Sequence, residues 1–314
     1  MRDDPTPQPS GTPDHSRSPG PPGPSPAHGP AAAGRPAAAP PEPAFGPALF
    51  AGRTALVAGA GSGIGAEVAA GLGRYGAQVA LLGRDAAALG RTAAAVEKHG
   101  GRALALPADL ADGPSLQEAA GRCASVLGPV DLLVNSVVLA TRQVFLAEQS
   151  ERDWQRTLDV NLTGTYRLCR LVVPGMTERR RGSVVLLSST AARRGLASNT
   201  AYCAAKSGIE GFMRALAREA GPYGVRVNAV CPGLTDSPAL RDEDRYGRDF
   251  MASLRRHHGP PDLTWERYVQ RAVRATALGR LLDSREVAHQ VLYLLSDLAS
   301  GVTGSTVDVD AGAP

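Results

Sequence analysis

The chain has 314 residues, among them 36 Gly and 25 Pro, and a formal charge of +4. No apolar run approaches the roughly 20 residues that a membrane helix needs, and the four cysteines form no Cys-x-x-Cys pair, which argues for reduced thiols in a cytoplasm rather than a disulfide scaffold. Basic residues are scattered, with Arg179-Arg180-Arg181 the one tight run, so the charge does not point to nucleic acid.

Residues 1–46 are rich in Pro, Gly, Ala and Ser, as in Pro19-Gly20-Pro21-Pro22-Gly23-Pro24-Ser25. Such a segment cannot bury a core, and the expectation is a disordered tail. It has no apolar run for a secretory signal, and a Pro-rich ligand for a partner domain is the alternative. Residues 47–314 suffice for one α/β domain.

The first predicted strand, Thr54–Ala58, runs into Gly59-Ala60-Gly61-Ser62-Gly63-Ile64-Gly65, and a helix is predicted over Ile64–Tyr75. Between a strand and a helix, such glycines permit a tight turn, let the backbone approach a pyrophosphate, and let the helix pack on the strand. The helix N-terminus offers its N–H groups and partial positive charge to phosphates. The second strand, Gln78–Leu82, ends at Gly83-Arg84-Asp85. A site for NAD places an acid at that strand end; here Gly83 stands there, and Arg84 is suited to a 2′-phosphate. The expectation is NADP(H) preferred and NAD(H) possible, with an ordinary surface Arg as the alternative. Asp85 should cap the next helix, Ala86–His99.

A third strand, Arg102–Leu106, leads to Ala108-Asp109-Leu110. The Asp109 carboxylate there is placed to accept from an adenine amino group, or else serves a cap or turn. Helix Ser115–Leu127 and strand Val130–Val134 follow, then helix Glu151–Val173. Asn161 falls mid-helix, where Asn needs a reason; it is expected to hold a local distortion and a water, or to cap or face solvent. Strand Ser183–Leu187 ends in hydroxyls, among them Ser189, and helix Thr200–Ala220 carries Tyr202 and Lys206 four residues apart on one face. A free phenol has a pKa near 10, and a neighbouring ammonium brings it toward working range for general acid–base chemistry. Lys206 is one of two lysines, with Lys98, among 34 basic residues; a lysine kept in so arginine-rich a chain suggests a need for the compact ammonium. Strand Val225–Val230, helix Arg285–Ser296 and strand Thr306–Val309 complete the alternation, which implies right-handed βαβ units and a parallel sheet. Residues 238–278 interrupt it with two polar helical patterns bearing Tyr246, Phe250, Trp265 and Tyr268, at the sheet edge where ligands bind. They are expected to form a substrate lid, or else a plain helical hairpin; eight Arg against six acids between Ala239 and Thr276 imply no charged substrate.

In order and spacing, Gly59-x-x-x-Gly63-x-Gly65, Asn161, Ser189, Tyr202-x-x-x-Lys206 and Pro232-Gly233 resemble the short-chain dehydrogenases/reductases. Gly279-Arg280-Leu281 through Glu286-Val287-Ala288 to Val307–Gly312 resembles that family's C-terminus, so the likeness spans nearly the whole domain, closest to the 3-oxoacyl-carrier-protein-reductase-like and alcohol-dehydrogenase-like groups. The resemblance implies a Rossmann-type, doubly wound, seven-stranded parallel sheet and hydride transfer between a nicotinamide and a carbonyl or secondary alcohol. It implies that Tyr202 donates the proton, Ser189 polarises the oxygen, Lys206 holds the nicotinamide ribose, and Asn161 anchors a water. It carries cofactor contacts to Gly59, Ser62, Gly63, Ile64, Gly65, Leu110, Asn135, Pro232, Gly233 and Ser237, with Ser237 near the carboxamide. It also implies a homotetramer or homodimer formed through helices Glu151–Val173 and Thr200–Ala220. Two positions depart from the family: Ala58 stands for a threonine, and Asn135-Ser136-Val137-Val138 for Asn-Asn-Ala-Gly. A branched Val138 against the cofactor favours the alternative, a cofactor-binding regulator with little turnover.

Overall fold

The computed structural model describes residues 45–241 and 247–314. Residues 1–44 of the tail expected over 1–46, and Tyr246, lie outside the described residues. Phe45 already meets the Tyr75 ring edge-on, with centroids 5.5 Å apart, so the packed part reaches into the segment read as tail.

Seven parallel strands form the central sheet: β1 (Thr54–Ala58), β2 (Gln78–Gly83), β3 (Arg102–Pro107), β4 (Leu132–Asn135), β5 (Gly182–Leu187), β6 (Val225–Pro232) and β9 (Thr306–Val309), in the order β3-β2-β1-β4-β5-β6-β9. β1, β4 and β5 are buried along their whole length, which is why they read as continuous apolar runs. Alternate residues feed two cores. Ala55 and Val57 pack with α1 (Gly63–Arg74), α2 (Ala86–Glu97) and the last long helix, Ser284–Leu295. Leu56 and Ala58 pack with α3 (Gly113–Leu127), α5 (Gly164–Glu178) and α7 (Thr200–Ala220). The strand order reverses between β1 and β4, and the crevice at that switch point is where such sheets bind ligands.

Local chemistry sets the helix starts. Asp85 caps α2 by accepting from the Ala88 N–H at 3.0 Å, and Asp112 caps α3 through Ser115 at 3.3 Å. The predicted helix Glu151–Val173 is three pieces. α4 (Glu151–Leu158) passes through one π turn (Asp159–Thr163) into α5, which runs on through Pro174 to Glu178. A short helix, α6 (Ala191–Arg194), follows β5.

The insertion enters after β7 (Thr235–Asp236) and returns at β8 (Leu282–Asp283). These two-residue strands pair in parallel, Thr235 with Leu282 and Asp236 with Asp283, so the segment leaves and rejoins the sheet edge at one place. It carries α8 (Pro238–Arg241), α9 (Arg248–His257) and α10 (Trp265–Arg274). The helix Ser284–Leu295, α11, then opens on a capping box between Asp283 and Glu286. No helix among the described residues is long and apolar enough to cross a membrane.

Candidate active site

The glycine turn is built by close approach. Gly59 has φ +80°, and a Cβ there would lie 2.8–2.9 Å from the Ser136–Val137 backbone. A Cβ at Gly65 would fall inside contact distance of the Gly59 carbonyl, so only glycine lets α1 start against the end of β1. Gly63 takes φ +54° with open space around it. Ser62 is the N-cap of α1, yet its side chain makes no capping bond. The first-turn N–H groups of α1 are therefore left for an outside acceptor, which fits a pyrophosphate.

Neighbouring strand ends meet this turn. The Gly59 and Ala60 N–H groups donate to the Leu82 carbonyl at 2.8 and 3.2 Å, placing Gly83 and Arg84 beside it. Arg84 is exposed and has no ion-pair partner among the described residues. Asp109 forms a local turn, accepting from the Ala111 N–H at 2.9 Å, and pairs with Arg156 at 3.2 Å. The turn role weighed for Asp109 is thus present, and its second oxygen is engaged as well. Leu110 is buried against the Gly164 backbone.

A cavity of about 460 Å3 lies at the carboxyl edge of the sheet. Ile64, Ser189, Tyr202, Lys206, Pro232, Gly233 and Ser237 line it, as do Phe250, Trp265 and Tyr268 from the insertion. Gly59, Ser62, Gly63, Gly65, Arg84, Asp109, Leu110, Asn135 and Asn161 stand outside its wall. The Ser189 Oγ accepts from the Ala191 N–H at 3.2 Å. Gly233 passes so close to Asp310 that a Cβ would lie 2.7 Å from its Cα, and Ser237 caps α8 through the Leu240 N–H at 3.2 Å.

The Lys206 Nζ lies 5.8 Å from the Tyr202 ring centroid and donates to the Leu187 carbonyl at 2.8 Å. The side chain is 2% exposed, and burial pushes its pKa down from 10.5 to about 8. The ammonium is charged below that value and neutral above it. A reaction that needs the charge should therefore show kcat/KM falling above pH about 8, and a profile flat from pH 7 to 10 would remove Lys206 from that role. Carrying the charge into this site costs on the order of 3 kcal/mol. Lys206→Met should accordingly lose turnover while melting no lower than the parent at pH 7, a check for calorimetry.

Asn161 is 1% exposed, and both of its side-chain polar atoms are bonded. Its Nδ2 donates to the carbonyls of Thr157 (2.8 Å) and Leu139 (2.7 Å), and its Oδ1 accepts from the Leu139 N–H at 3.1 Å. The Thr165 hydroxyl donates to the Asn161 carbonyl and accepts from Asn135 Nδ2 at 2.8 Å. Asn135 Oδ1 in turn receives the Val137 N–H at 3.1 Å. One network thus ties the π turn to the loop after β4 that carries Val138 into the cavity.

A second network went unnoticed in the sequence. Glu210, one turn beyond Lys206 on α7, accepts from Ser188 Oγ at 3.1 Å and Cys231 Sγ at 3.0 Å. Arg193 meets it at 3.4 Å and holds Asp308 of β9 at 2.9 Å. Burial pushes the Cys231 thiol up to about 12, so it acts as a packed donor, not a nucleophile. The visible signal was an acid at Tyr202 + 8 in an apolar helix stripe.

Residues 53–246 match the short chain dehydrogenase family, and residues 262–314 match the family described as enoyl-(acyl carrier protein) reductase. The chain is 33% identical over 261 residues to the 3-oxoacyl-[acyl-carrier-protein] reductase FabG of Pseudomonas aeruginosa, covering 83% of this chain and 97% of that protein. Among solved structures, an actinorhodin polyketide ketoreductase with NADPH has a TM-score of 0.73 at 32% identity, covering 83% of this chain and 96% of that one. A 3-oxoacyl-[acyl-carrier protein] reductase with bound NAD from Brucella melitensis has a TM-score of 0.72 at 32% identity, covering 84% and 92%. With this sheet order and these matches, the chain belongs to the short-chain dehydrogenase/reductase family and is an oxidoreductase acting on alcohol or carbonyl groups.

Proposed function

We propose that the protein is an NADP(H)-dependent reductase of ketones, or dehydrogenase of secondary alcohols, working through Ser189, Tyr202, Lys206 and Asn161. The observation that carries this reading is the convergence of the Ser189 hydroxyl, the Tyr202 phenol and a buried Lys206 ammonium on one cavity beneath an uncapped helix N-terminus. The nicotinamide, when bound, supplies or takes the hydride. Ser189 donates a hydrogen bond to the substrate oxygen and orients it. Tyr202 gives that oxygen its proton, and the Lys206 charge lowers the cost of the phenolate left behind. Asn161 holds the π turn and, through Leu139, the loop that carries Val138 beside them, and it anchors a water of the proton relay. Residues 238–278 act as the substrate lid, since three of their aromatic side chains share the catalytic cavity. The exposed Tyr166 and Leu171 on α5 supply apolar surface for a homodimer or homotetramer.

The alternative of a regulator with little turnover rests on Val138, which puts a branched side chain into the cavity. Cofactor titration followed by a carbonyl panel separates the two: cofactor binding with turnover supports the enzyme, and binding with none supports the regulator.

The cofactor preference rests on Arg84 and Gly83. In Gly83→Asp/Arg84→Leu, the new carboxylate fits, because a Cβ at Gly83 meets only Leu89 at the ordinary distance of 3.4 Å. Losing one charge-assisted contact and adding another for the 2′-hydroxyl should move the NADPH/NADH ratio of kcat/KM by roughly 10- to 100-fold toward NADH. A parent that prefers NADH, or a ratio unmoved by the double change, overturns the assignment.

A further inference from the structure

We propose that the substrate is a flat, uncharged ring ketone, or the corresponding ring alcohol, whose apolar body lies on Trp265 and Tyr268 while its reacting oxygen meets Ser189 and Tyr202. The inference deepens the proposed function and rests on it.

α10 is an amphipathic helix without a buried residue. Trp265, Tyr268 and Ala272 fall at i, i+3 and i+7, one apolar stripe, and all three line the cavity. A helix of this kind normally presses its stripe on a core. Here Phe250 covers part of the stripe, and the rest faces the space beside Ser189 and Tyr202, where the apolar body of a bound molecule would pack on it. The Trp265 and Tyr268 rings are nearly parallel, stacked with centroids 5.7 Å apart at 19°, so a flat ring entering from the cavity can continue the stack. Phe250, 3% exposed, supports both rings edge-on, at 6.3 Å and 5.0 Å. The Trp265 indole N–H donates to the Leu240 carbonyl at 3.2 Å and fixes the plane of that ring. Val138 and Leu196 add exposed apolar side chains to the same wall. The family-atypical Val138 thereby becomes part of the apolar lining.

Charge narrows the class. The cationic side chains on the described wall are Arg194 and Lys206. Arg194 is held by Asp310 at 2.6 Å, and Lys206 donates to the Leu187 carbonyl. Among the described residues, a carboxylate or phosphate on the substrate body would meet no free cation there: Arg194 is neutralised by Asp310, and the proposed mechanism directs the Lys206 charge to Tyr202. The polar group that is available is neutral. Gln143 is 8% exposed and accepts from Asn199 Nδ2 at 3.3 Å, while that same nitrogen donates to the Ala197 carbonyl at 3.4 Å, which orients the pair. The Gln143 Nε2 has no partner among the described residues and suits a neutral acceptor oxygen.

The chemistry balances with the cofactor already invoked. The ring C=O π bond breaks, the carbon gains the hydride from NADPH, the oxygen gains the Tyr202 proton, and a ring alcohol and NADP+ result.

The test compares kcat/KM at saturating NADPH for 1-tetralone, ethyl acetoacetate and acetoacetate, in the parent, Trp265→Ala and Trp265→Phe. The parent should favour 1-tetralone by about tenfold or more over both acyclic compounds. Trp265→Ala should cut the 1-tetralone value by roughly 10- to 100-fold, mainly through KM, leaving ethyl acetoacetate within about threefold; Trp265→Phe should restore most of it. The inference is overturned if either acyclic compound is preferred, or if Trp265→Ala lowers all three alike. Reduction of none of them by enzyme shown to bind NADPH overturns the reductase reading itself, and this inference with it.

Discussion

Tyr202→Phe should lose turnover by roughly 100- to 10,000-fold while still binding NADPH, the span that a positioned general acid typically contributes. The substitution removes one oxygen and keeps the ring, so the packing of α7 over β5 and the Lys206 site are preserved. Tyr202 lies on α7, away from the glycine turn in which Gly59, Gly63 and Gly65 shape the proposed phosphate site. Cofactor affinity measured by fluorescence titration should stay within about fivefold, since a single neutral hydrogen bond contributes roughly 1 kcal/mol. Single-turnover kinetics is the decisive measurement, because it isolates the chemical step from product release. A Phe variant within a few-fold of the parent would remove Tyr202 as proton donor. A variant that loses NADPH binding as well would mean the phenol organises the cofactor site instead.

Much of the fold was legible because it depends on local signals of adequate length. The parallel strands are buried on both faces, so β1, β4 and β5 read as unbroken apolar runs. The Tyr202–Lys206 pairing needs only the helical repeat, and Asp85 as a cap needs only its place before α2. The rest depends on contacts distant in sequence. β7 and β8 are two residues each and exist only as partners of one another, across the whole insertion. Asp109 gave a sound turn signal, but its pairing with Arg156 joins residues 47 apart. Gln143 sits in a loop whose course is set by the Asn161 and Ser253 contacts, so its position on the cavity wall has no local signature. Glu210 was visible as an acid in an apolar stripe, yet its partners arrive from the residue after β5, from α6 and from β6.

The π turn marks the boundary between these two kinds of information. An Asn mid-helix predicts a distortion at Asn161, but not its form. The form follows from counting bonds. The Asn161 amide N–H groups serve two carbonyls and its oxygen serves one N–H, all of them main-chain. The side chain therefore does for the Thr157 carbonyl what a backbone N–H does in a regular turn, and the helix can take up an extra residue there. It also fixes Leu139, hence the loop bearing Val138. If Asn161 anchors a water as well, its main-chain geometry and the remaining lone pair of Oδ1 are what it has left to offer, so the catalytic and structural roles share one side chain.

Asn161→Ala should therefore be among the most damaging substitutions in the chain. It leaves the Thr157 carbonyl and both polar groups of the Leu139 backbone without their partner, in a site where Asn161 is 1% exposed. Each orphaned buried group costs roughly 1–3 kcal/mol. Even with water entering the space left behind, a loss of about 3–5 kcal/mol is expected, or roughly 10 °C in Tm for a domain of this size. Turnover and cofactor affinity should fall together, because the loop after β4 touches both the glycine turn and the cavity. Asn161→Asp separates shape from donor capacity. It still accepts from Leu139, but as a carboxylate it sets negative oxygen against two carbonyl oxygens. That repulsion raises its folded-state pKa above the unfolded value, so the penalty is present at neutral pH and fades as the pH falls through the raised pKa. The Asp variant should thus close part of its stability gap to the parent between pH 7 and 5, whereas the Ala variant should keep a constant gap. Thermal melts across that range decide the matter. An Ala variant melting within about 2 °C of the parent would mean that these hydrogen bonds do not hold the π turn, because the smallest loss expected here, about 3 kcal/mol, corresponds to a larger shift.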